Sequence, residues 1–171
     1  MKKLLICLLV VIMSLTFVSC KVEPVETTNY LAGVQTVQEL LATEPMSRWQ
    51  TYCALTTYGY TNDEINAILN MADINWAQQA ALVCQTQIDA YPISKQALIG
   101  HLTILQFTPE EIDYGLKSLG AIKWEDQCLY AAMLYIGEGI TDRNIVTQNL
   151  VNDGYTDSEI AYAIALSYAQ D

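Results

Sequence analysis

Apolar side chains between residues 76 and 123 recur every three or four positions, the spacing that places them on one face of an α-helix. The first run predicts a helix over about 76–90, because Pro92 disfavours helical backbone in the residue ahead of it. Ser94 can then cap the free backbone N–H groups of a second helix, predicted over about 95–105. The apolar residues of this second helix are Leu98, Leu102 and Leu105.

Residues 108–111, with the sequence Thr-Pro-Glu-Glu, carry the features that begin a third helix. The threonine caps, the proline suits the first turn, and Glu111 can reach back to complete a capping box. Apolar residues follow at helical spacing and predict one buried face. Boxes of the same form occupy residues 61–64 and 156–159. The sequence therefore predicts an all-α protein.

This helix pattern is repeated along the chain. An offset of 48 residues aligns Trp76 with Trp124, and many of the residues that follow them also match. An offset of 47 residues aligns the same segment with upstream residues, including Ser94 with Ser47. The chain is thus predicted to consist of tandem three-helix repeats, each of them marginally stable alone. The predicted copies are 29–75, 76–123 and 124–171.

The second and third helices of each copy are joined by a short turn that carries an aromatic residue. Phe107 is this aromatic in the middle copy, with Tyr60 and Tyr155 at the matching positions. The predicted geometry is that of a helix-turn-helix. Charge excludes nucleic acid as the partner, because the chain has 8 basic and 19 acidic residues and a net charge of −11.

The N-terminus has the pattern of a secretory signal, with a basic start and an apolar run ahead of a small residue. The run of about 15 residues is shorter than the roughly 20 that a membrane-spanning helix needs. Residues 17–20, Phe-Val-Ser-Cys, resemble a bacterial lipoprotein signal box. They predict a signal peptide over 1–19, acylation of Cys20 and a lipidated tether over 20–28. The alternative is plain secretion, with Cys20 merely near the cleavage site.

Three further segments resemble one known family, namely 94–102 (SKQALIGHL), 107–116 (FTPEEIDYGL) and 124–128 (WEDQC). They are similar to the repeat of the Ltp-like host cell surface-exposed lipoproteins. The resemblance covers the signal and all three copies, and it implies helix-turn-helix-like repeats behind a membrane anchor. Known members include prophage-encoded superinfection-exclusion lipoproteins, which block DNA injection by an incoming phage.

The resemblance implies binding rather than catalysis. We expect a surface-exposed lipoprotein that acts as a protein-interaction module of the superinfection-exclusion type. Acylated Cys20 would hold it in the lipid bilayer, on the extracytoplasmic face of the cell membrane. The alternative is a bacterial envelope lipoprotein that binds a peptide or a cell-wall partner and has no role against phage. No cofactor is expected.

The cysteines and the single histidine have structural interpretations. Cys53, Cys84 and Cys128 are an odd number, which excludes a complete disulfide framework. A metal site that adds His101 lacks the short ligand spacing typical of such sites. Each cysteine aligns with a small residue in another copy, so all three are interpreted as buried core thiols. His101 is interpreted as a surface or boundary residue.

The recurring glutamates Glu64, Glu111 and Glu159 are explained by the capping boxes. The sequence has no motif that indicates a Ser-His-Asp triad and no phosphate-binding glycine loop. The chain is therefore not expected to be an enzyme.

Four recurring aromatics are interpreted as structural. Trp76 and Trp124 are predicted to anchor the packing where one copy joins the next. Tyr114 and Tyr162 are interpreted as aromatics at the edge of the core, with a binding platform as the alternative.

The third copy carries most of the negative charge, with eight acidic residues and Arg143 as its single base. Four of the acids lie near predicted helix ends and turns, where side chains are expected to project into solvent. They are Glu138, Asp142, Asp153 and Asp157. Such a group of acids is more often only a solvated face, and as a binding site it is predicted to take a basic protein segment of phage injection machinery.

Overall fold

The computed structural model describes residues 30–169, and all regular structure in that range is helical, which confirms the all-α prediction. The predicted signal peptide, Cys20 and the tether lie outside the described residues. The helices are α1 (Tyr30–Thr43), α2 (Arg48–Thr57), α3 (Asn62–Met71), α4 (Trp76–Ala90), α5 (Lys95–Ile104), α6 (Pro109–Ser118), α7 (Trp124–Gly137), α8 (Arg143–Asn152) and α9 (Asp157–Ser167).

Threonine side chains cap the N-terminal ends of α3, α6 and α9. Thr61, Thr108 and Thr156 each accept a hydrogen bond from the backbone N–H three residues on, and the glutamate at that place reaches back. The three predicted capping boxes are therefore confirmed. A fourth box, formed by Ser47 and Gln50 at the start of α2, was not predicted, although glutamine is part of the capping-box pattern.

The predicted bounds of the first two helices in the middle copy agree with the structure. The helix predicted over 76–90 is α4, and the helix predicted over 95–105 is α5, which is one residue shorter. The aromatics at the turns also lie where the sequence places them. Phe107 and Tyr155 are buried, and Tyr60 is half-buried.

The helices form three groups of three, which we name group 1 (α1–α3), group 2 (α4–α6) and group 3 (α7–α9). Helix contacts lie mainly within these groups, and in each group the first and third helices have the most extensive contact. Each group has its own cluster of buried apolar side chains. The division of the sequence into three repeated copies stays a prediction from the offsets.

Tryptophans join neighbouring groups. Trp76 begins group 2 but packs against the core cluster of group 1. Trp124 begins group 3 but packs against the core cluster of group 2. Both residues are therefore packing anchors between groups, as predicted.

Two buried serines form a second link between groups. The Ser47 hydroxyl donates a hydrogen bond to the backbone carbonyl oxygen of Leu105, which follows α5. The Ser94 hydroxyl donates one to the carbonyl oxygen of Asp153, which follows α8, at 2.6 Å. Each hydroxyl oxygen also accepts a backbone N–H from the first turn of its own helix. One side chain thus caps a helix and ties it to the next group.

Candidate functional site

Asp153, at the end of α8, is held inside group 3. Its carboxylate accepts a hydrogen bond of 2.7 Å from the Tyr135 hydroxyl of α7, and the residue is half-buried. Burial raises the pKa of this carboxyl, and the hydrogen bond from Tyr135 offsets part of that effect. The expectation that Asp153 projects freely into solvent is therefore wrong, because the half-buried Tyr135 of a neighbouring helix holds its carboxylate.

Tyr135 lies near two of the predicted site residues. Burial raises the pKa of its phenol, and the hydrogen bond to Asp153 and the charges of Asp153 and Glu138 raise it further. The phenol therefore stays protonated and remains a donor at neutral pH. The structure thus brings Glu138 and Asp153 to the same tyrosine.

Asp142 and Asp157 are exposed at the N-terminal ends of helices. Asp142 caps α8, and one of its carboxylate oxygens accepts the backbone N–H groups of Asn144 and Ile145 at 2.8 and 3.3 Å. Asp157 is the first residue of α9, where a negative charge interacts favourably with the helix dipole. Both carboxylates have structural roles and still face solvent.

The four predicted residues do not form one cluster. Asp142 and Asp153 lie at opposite ends of α8, a separation of about 15 Å for a helix of this length. Glu138 is exposed where α7 ends, near Tyr135. The acidic surface of group 3 is therefore spread over several helix ends, with Glu138, Asp142 and Asp157 as its exposed members.

The cysteines differ in their surroundings. Cys84 and Cys128 are fully buried, and burial raises the pKa of their thiols to about 11 and about 12. Both are core thiols, as predicted. Cys53 is exposed on α2, so its interpretation as a buried thiol is wrong. Its sequence neighbours do not reveal which side of α2 faces the core, because that depends on how α2 packs.

His101 lies half-buried near the end of α5, and burial lowers the pKa of its imidazole. It is a boundary residue, as predicted. Within residues 30–169, no three His, Cys, Asp or Glu side chains lie together in a way that could hold a metal ion.

Tyr114 and Tyr162 occupy the edge of their groups. The Tyr114 hydroxyl donates a hydrogen bond to Gln78, and the Tyr162 hydroxyl donates one to Asp126, both at 3.3 Å. Each bond joins the third helix of a group to the first. Both side chains are exposed, at 45% and 42%, so the hydrogen bonds account for their hydroxyls, and the choice between a core-edge role and a binding platform stays a prediction.

The sequence interpretation missed an apolar surface on the outer side of α7. Tyr130, Met133 and Leu134 are each about half exposed there. They line a groove of about 430 Å³, together with Tyr91 and Pro92 from the segment that follows α4. A comparison of α7 with α4 at the 48-residue offset could have revealed it, because α4 is more polar at these positions.

No protein-family model, curated protein or solved structure matches the chain. Among the helices of residues 30–169, none has the length and apolar character needed to cross a bilayer.

Proposed function

We propose that the protein is a membrane-anchored, surface-exposed lipoprotein that acts as a protein-interaction module. Its role would resemble that of the superinfection-exclusion lipoproteins, which block DNA injection by an incoming phage. Acylated Cys20 would hold it in the lipid bilayer on the extracytoplasmic face of the cell membrane. The partner would be a basic protein segment of phage injection machinery.

The observation that carries this proposal is the negative charge of group 3. Residues 124–171 contain eight acidic side chains and one basic side chain. Three of the acids, Glu138, Asp142 and Asp157, are exposed at helix ends of a scaffold held by capping and close helix packing. A negatively charged surface on a scaffold that is already ordered before binding favours positively charged partners.

Electrostatic attraction of this kind acts mainly on the rate of association. Opposite charges steer the partner toward the surface, and salt weakens the effect because the screening length is only about 8 Å at physiological ionic strength. Fast capture would suit a protein that must meet an injected component during a brief encounter. Binding should therefore weaken as salt increases.

Expression of the full-length protein in a phage-susceptible host tests the phage role. We expect phage adsorption to equal that of a strain without the protein and the amount of injected phage DNA to fall. Unchanged DNA injection over a broad panel of phages would exclude this role.

The anchor is tested by Cys20→Ala. We expect this variant to keep its helical content but to leave the membrane fraction, to take up no labelled fatty acid and to lose exclusion. If the wild-type protein takes up no label, the predicted lipidation is wrong.

A second candidate is an envelope lipoprotein that binds a peptide or a cell-wall partner without any role against phage. The groove beside α7 favours it, because exposed apolar side chains along a groove are a recurring docking surface for peptides. Capture experiments with the membrane-reconstituted protein separate the two candidates. Retention of phage tail proteins supports exclusion, and retention of envelope components in uninfected cells supports the second candidate.

A further inference from the structure

The outer side of α7 carries an apolar stripe that the fold does not bury. Tyr130, Met133 and Leu134 follow the helical spacing of one face and are 55%, 55% and 46% exposed. The opposite side of the same helix supplies Cys128 and Ala132 to the core of group 3. The helix is thus apolar on two sides, although only one side packs within the group.

The other two groups show that this stripe is not needed for folding. The positions 48 residues earlier, on α4, are Leu82, Gln85 and Thr86. The positions a further 47 residues earlier, on α1, are Gln35, Gln38 and Glu39. At the positions of Met133 and Leu134 both helices carry polar residues, although α4 keeps an exposed leucine, Leu82, at the position of Tyr130. Folding alone therefore does not explain the apolar stripe on α7.

The stripe is one side of a groove at the boundary between groups 2 and 3. The other side comes from the end of α4 and the segment after it, including Ile88, Tyr91 and Pro92. The boundary is held by Ser94 and by a hydrogen bond of 3.4 Å from the Ile93 backbone N–H to the Gln127 side chain. The walls of the groove are therefore held in place before binding, so that little of the ordering cost of binding falls on the groove itself.

Charge limits what can occupy the groove. Asp89 lines it, and Glu138 lies one helical turn beyond Leu134 at the end of α7. No lysine or arginine from the described part of the chain lines it. The groove thus combines apolar side chains with an acidic border.

We propose that this groove binds a short amphipathic segment of a partner protein, with an apolar face that lies on Tyr130, Met133 and Leu134 and with lysine or arginine near Asp89 and Glu138. The inference rests on the proposed interaction function and names the site. Anionic membrane surfaces would be repelled by the acidic border. A second copy docked on the same groove would bring like charges together.

The test measures binding of a labelled synthetic peptide to the full-length protein reconstituted in zwitterionic nanodiscs. The peptide forms an amphipathic helix with leucines on one face and lysines on the other, and a scrambled peptide of the same composition serves as its control. We expect the wild-type protein to bind the amphipathic peptide more tightly than the scrambled one. Equal binding of both peptides would overturn the proposal.

The matched variant is Met133→Gln with Leu134→Thr, which gives group 3 the two residues that α4 carries at these positions. We expect peptide affinity to fall about tenfold or more, because two apolar side chains lose the contact area that binding would bury. Ile104→Thr, which removes a side chain that is 77% exposed elsewhere on group 2, is expected to bind like the wild type. Unchanged affinity in the double variant would overturn the proposal.

The charge requirement is tested by Asp89→Asn. We expect a loss of about two- to fivefold in affinity at low salt and a smaller loss at about 0.15 M salt. Two further measurements test other occupants of the groove: sedimentation detects a second copy of the protein, and binding to anionic vesicles detects a membrane surface. If the Met133/Leu134 variant changes self-association or vesicle binding and leaves peptide binding unaltered, the occupant is a second copy or a membrane, and the proposal fails.

Infection assays separate this inference from the proposed function. If the wild-type protein excludes phage and the Met133/Leu134 variant excludes it equally, the groove is not the site, although the phage role stands. If the wild-type protein gives no exclusion and the variant still loses peptide binding, the groove is a binding site and the phage role fails.

Discussion

Gly115 of α6 faces Cys84 of α4 so closely that a methyl group at position 115 would lie 2.9 Å from the Cys84 sulfur. The same methyl would lie 3.1 Å from the backbone carbonyl oxygen of Ala80. This oxygen is part of the main chain of α4, so it cannot rotate away as a side chain can. The approach of the first and third helices in group 2 therefore depends on the absence of a side chain at position 115.

The other two groups place their small and large side chains differently where the first and third helices meet. Group 1 places the glycine on its first helix, where a methyl on Gly33 would lie 2.3 Å from the end of the Ile68 side chain on α3. Group 3 has alanines, Ala132 and Ala163, at the positions of Cys84 and Gly115. In groups 1 and 2 a larger side chain on one helix faces a glycine on the other, whereas group 3 has an alanine on both helices.

Gly115→Ala is therefore expected to destabilise the protein by about 1–3 kcal/mol, the usual range for overpacking a core. Cys84→Ala combined with Gly115→Ala reproduces the alanine pair of group 3 and should recover most of the loss. Urea unfolding followed by circular dichroism measures both effects. A double variant as unstable as Gly115→Ala alone would show that the contact with Ala80, and not Cys84, sets the limit.

Ser94→Ala is expected to cost about 2 kcal/mol, because it removes a helix cap and also leaves the Asp153 carbonyl without its donor. Thr108→Ala, which removes the capping hydroxyl at the start of α6, should cost about 1 kcal/mol. Chemical unfolding of both variants gives the comparison. Equal losses would mean that the link from Ser94 to group 3 contributes nothing to stability.

The half-buried carboxyl of Asp153 predicts a dependence of stability on pH. Its pKa is raised in the folded protein, so the folded state holds this proton more tightly than the unfolded state does. The contribution of Asp153 to stability therefore falls as pH rises from the ordinary carboxyl range through the raised pKa. In Asp153→Asn the amide oxygen can still accept from Tyr135, and the charge is gone.

We expect wild type and Asp153→Asn to be similar in stability near pH 3, and the variant to gain on the wild type as pH rises toward about 7. Urea unfolding at a series of pH values measures the difference. Asp157→Asn is the control, because this variant is expected to lower the stability at neutral pH rather than raise it. It should lose about 0.3–1 kcal/mol at neutral pH, because it removes a charge that stabilises the first turn of α9.

Removing exposed charge from group 3 should slow association with a basic partner. Glu138→Gln with Asp157→Asn is expected to reduce the association rate of a lysine-rich synthetic peptide at low salt and to make that rate less sensitive to salt. Stopped-flow fluorescence measures both quantities. Glu44→Gln with Asp63→Asn removes two charges from group 1. Equal slowing by the two double variants would mean that the peptide responds to net charge rather than to group 3.

The three cysteines of the described range should differ in reactivity. A thiol reagent is expected to modify Cys53 in the native protein, because it is exposed. Cys84 and Cys128 should react only in denaturant, since both are fully buried and have thiol pKa values of about 11 and about 12. Mass spectrometry of peptide digests locates the label. Rapid native labelling of Cys84 would contradict the packing described for group 2.

Helix starts were predictable because capping is local. Thr108 and Glu111 are three residues apart, so both halves of the box are visible in the sequence. The same holds for the buried aromatics at the turns, which follow directly from the helix pattern. The fourth box, formed by Ser47 and Gln50, is equally local and was predictable on the same grounds.

The candidate site was less predictable because its contacts are distant in sequence. Asp153 is 18 residues from Tyr135 and 59 from Ser94, and no local pattern links these positions. A charged residue near a helix end is normally solvated, so the hydrogen bond that holds the Asp153 side chain could not be foreseen. The apolar stripe of α7 was visible in principle, because it breaks the agreement between aligned positions.

The serine links all run in one direction along the chain, from a serine of one group to a backbone carbonyl of the next group. Each one needs a hydroxyl that can donate forward to the next group, and in groups 1 and 2 that serine is buried. Group 3 has Asp142 at this position, exposed and able to cap α8, but a carboxylate accepts hydrogen bonds and donates none. Group 3 therefore cannot make this serine-type bond to a further group through position 142, and a single Asp142→Ser exchange would restore the missing donor.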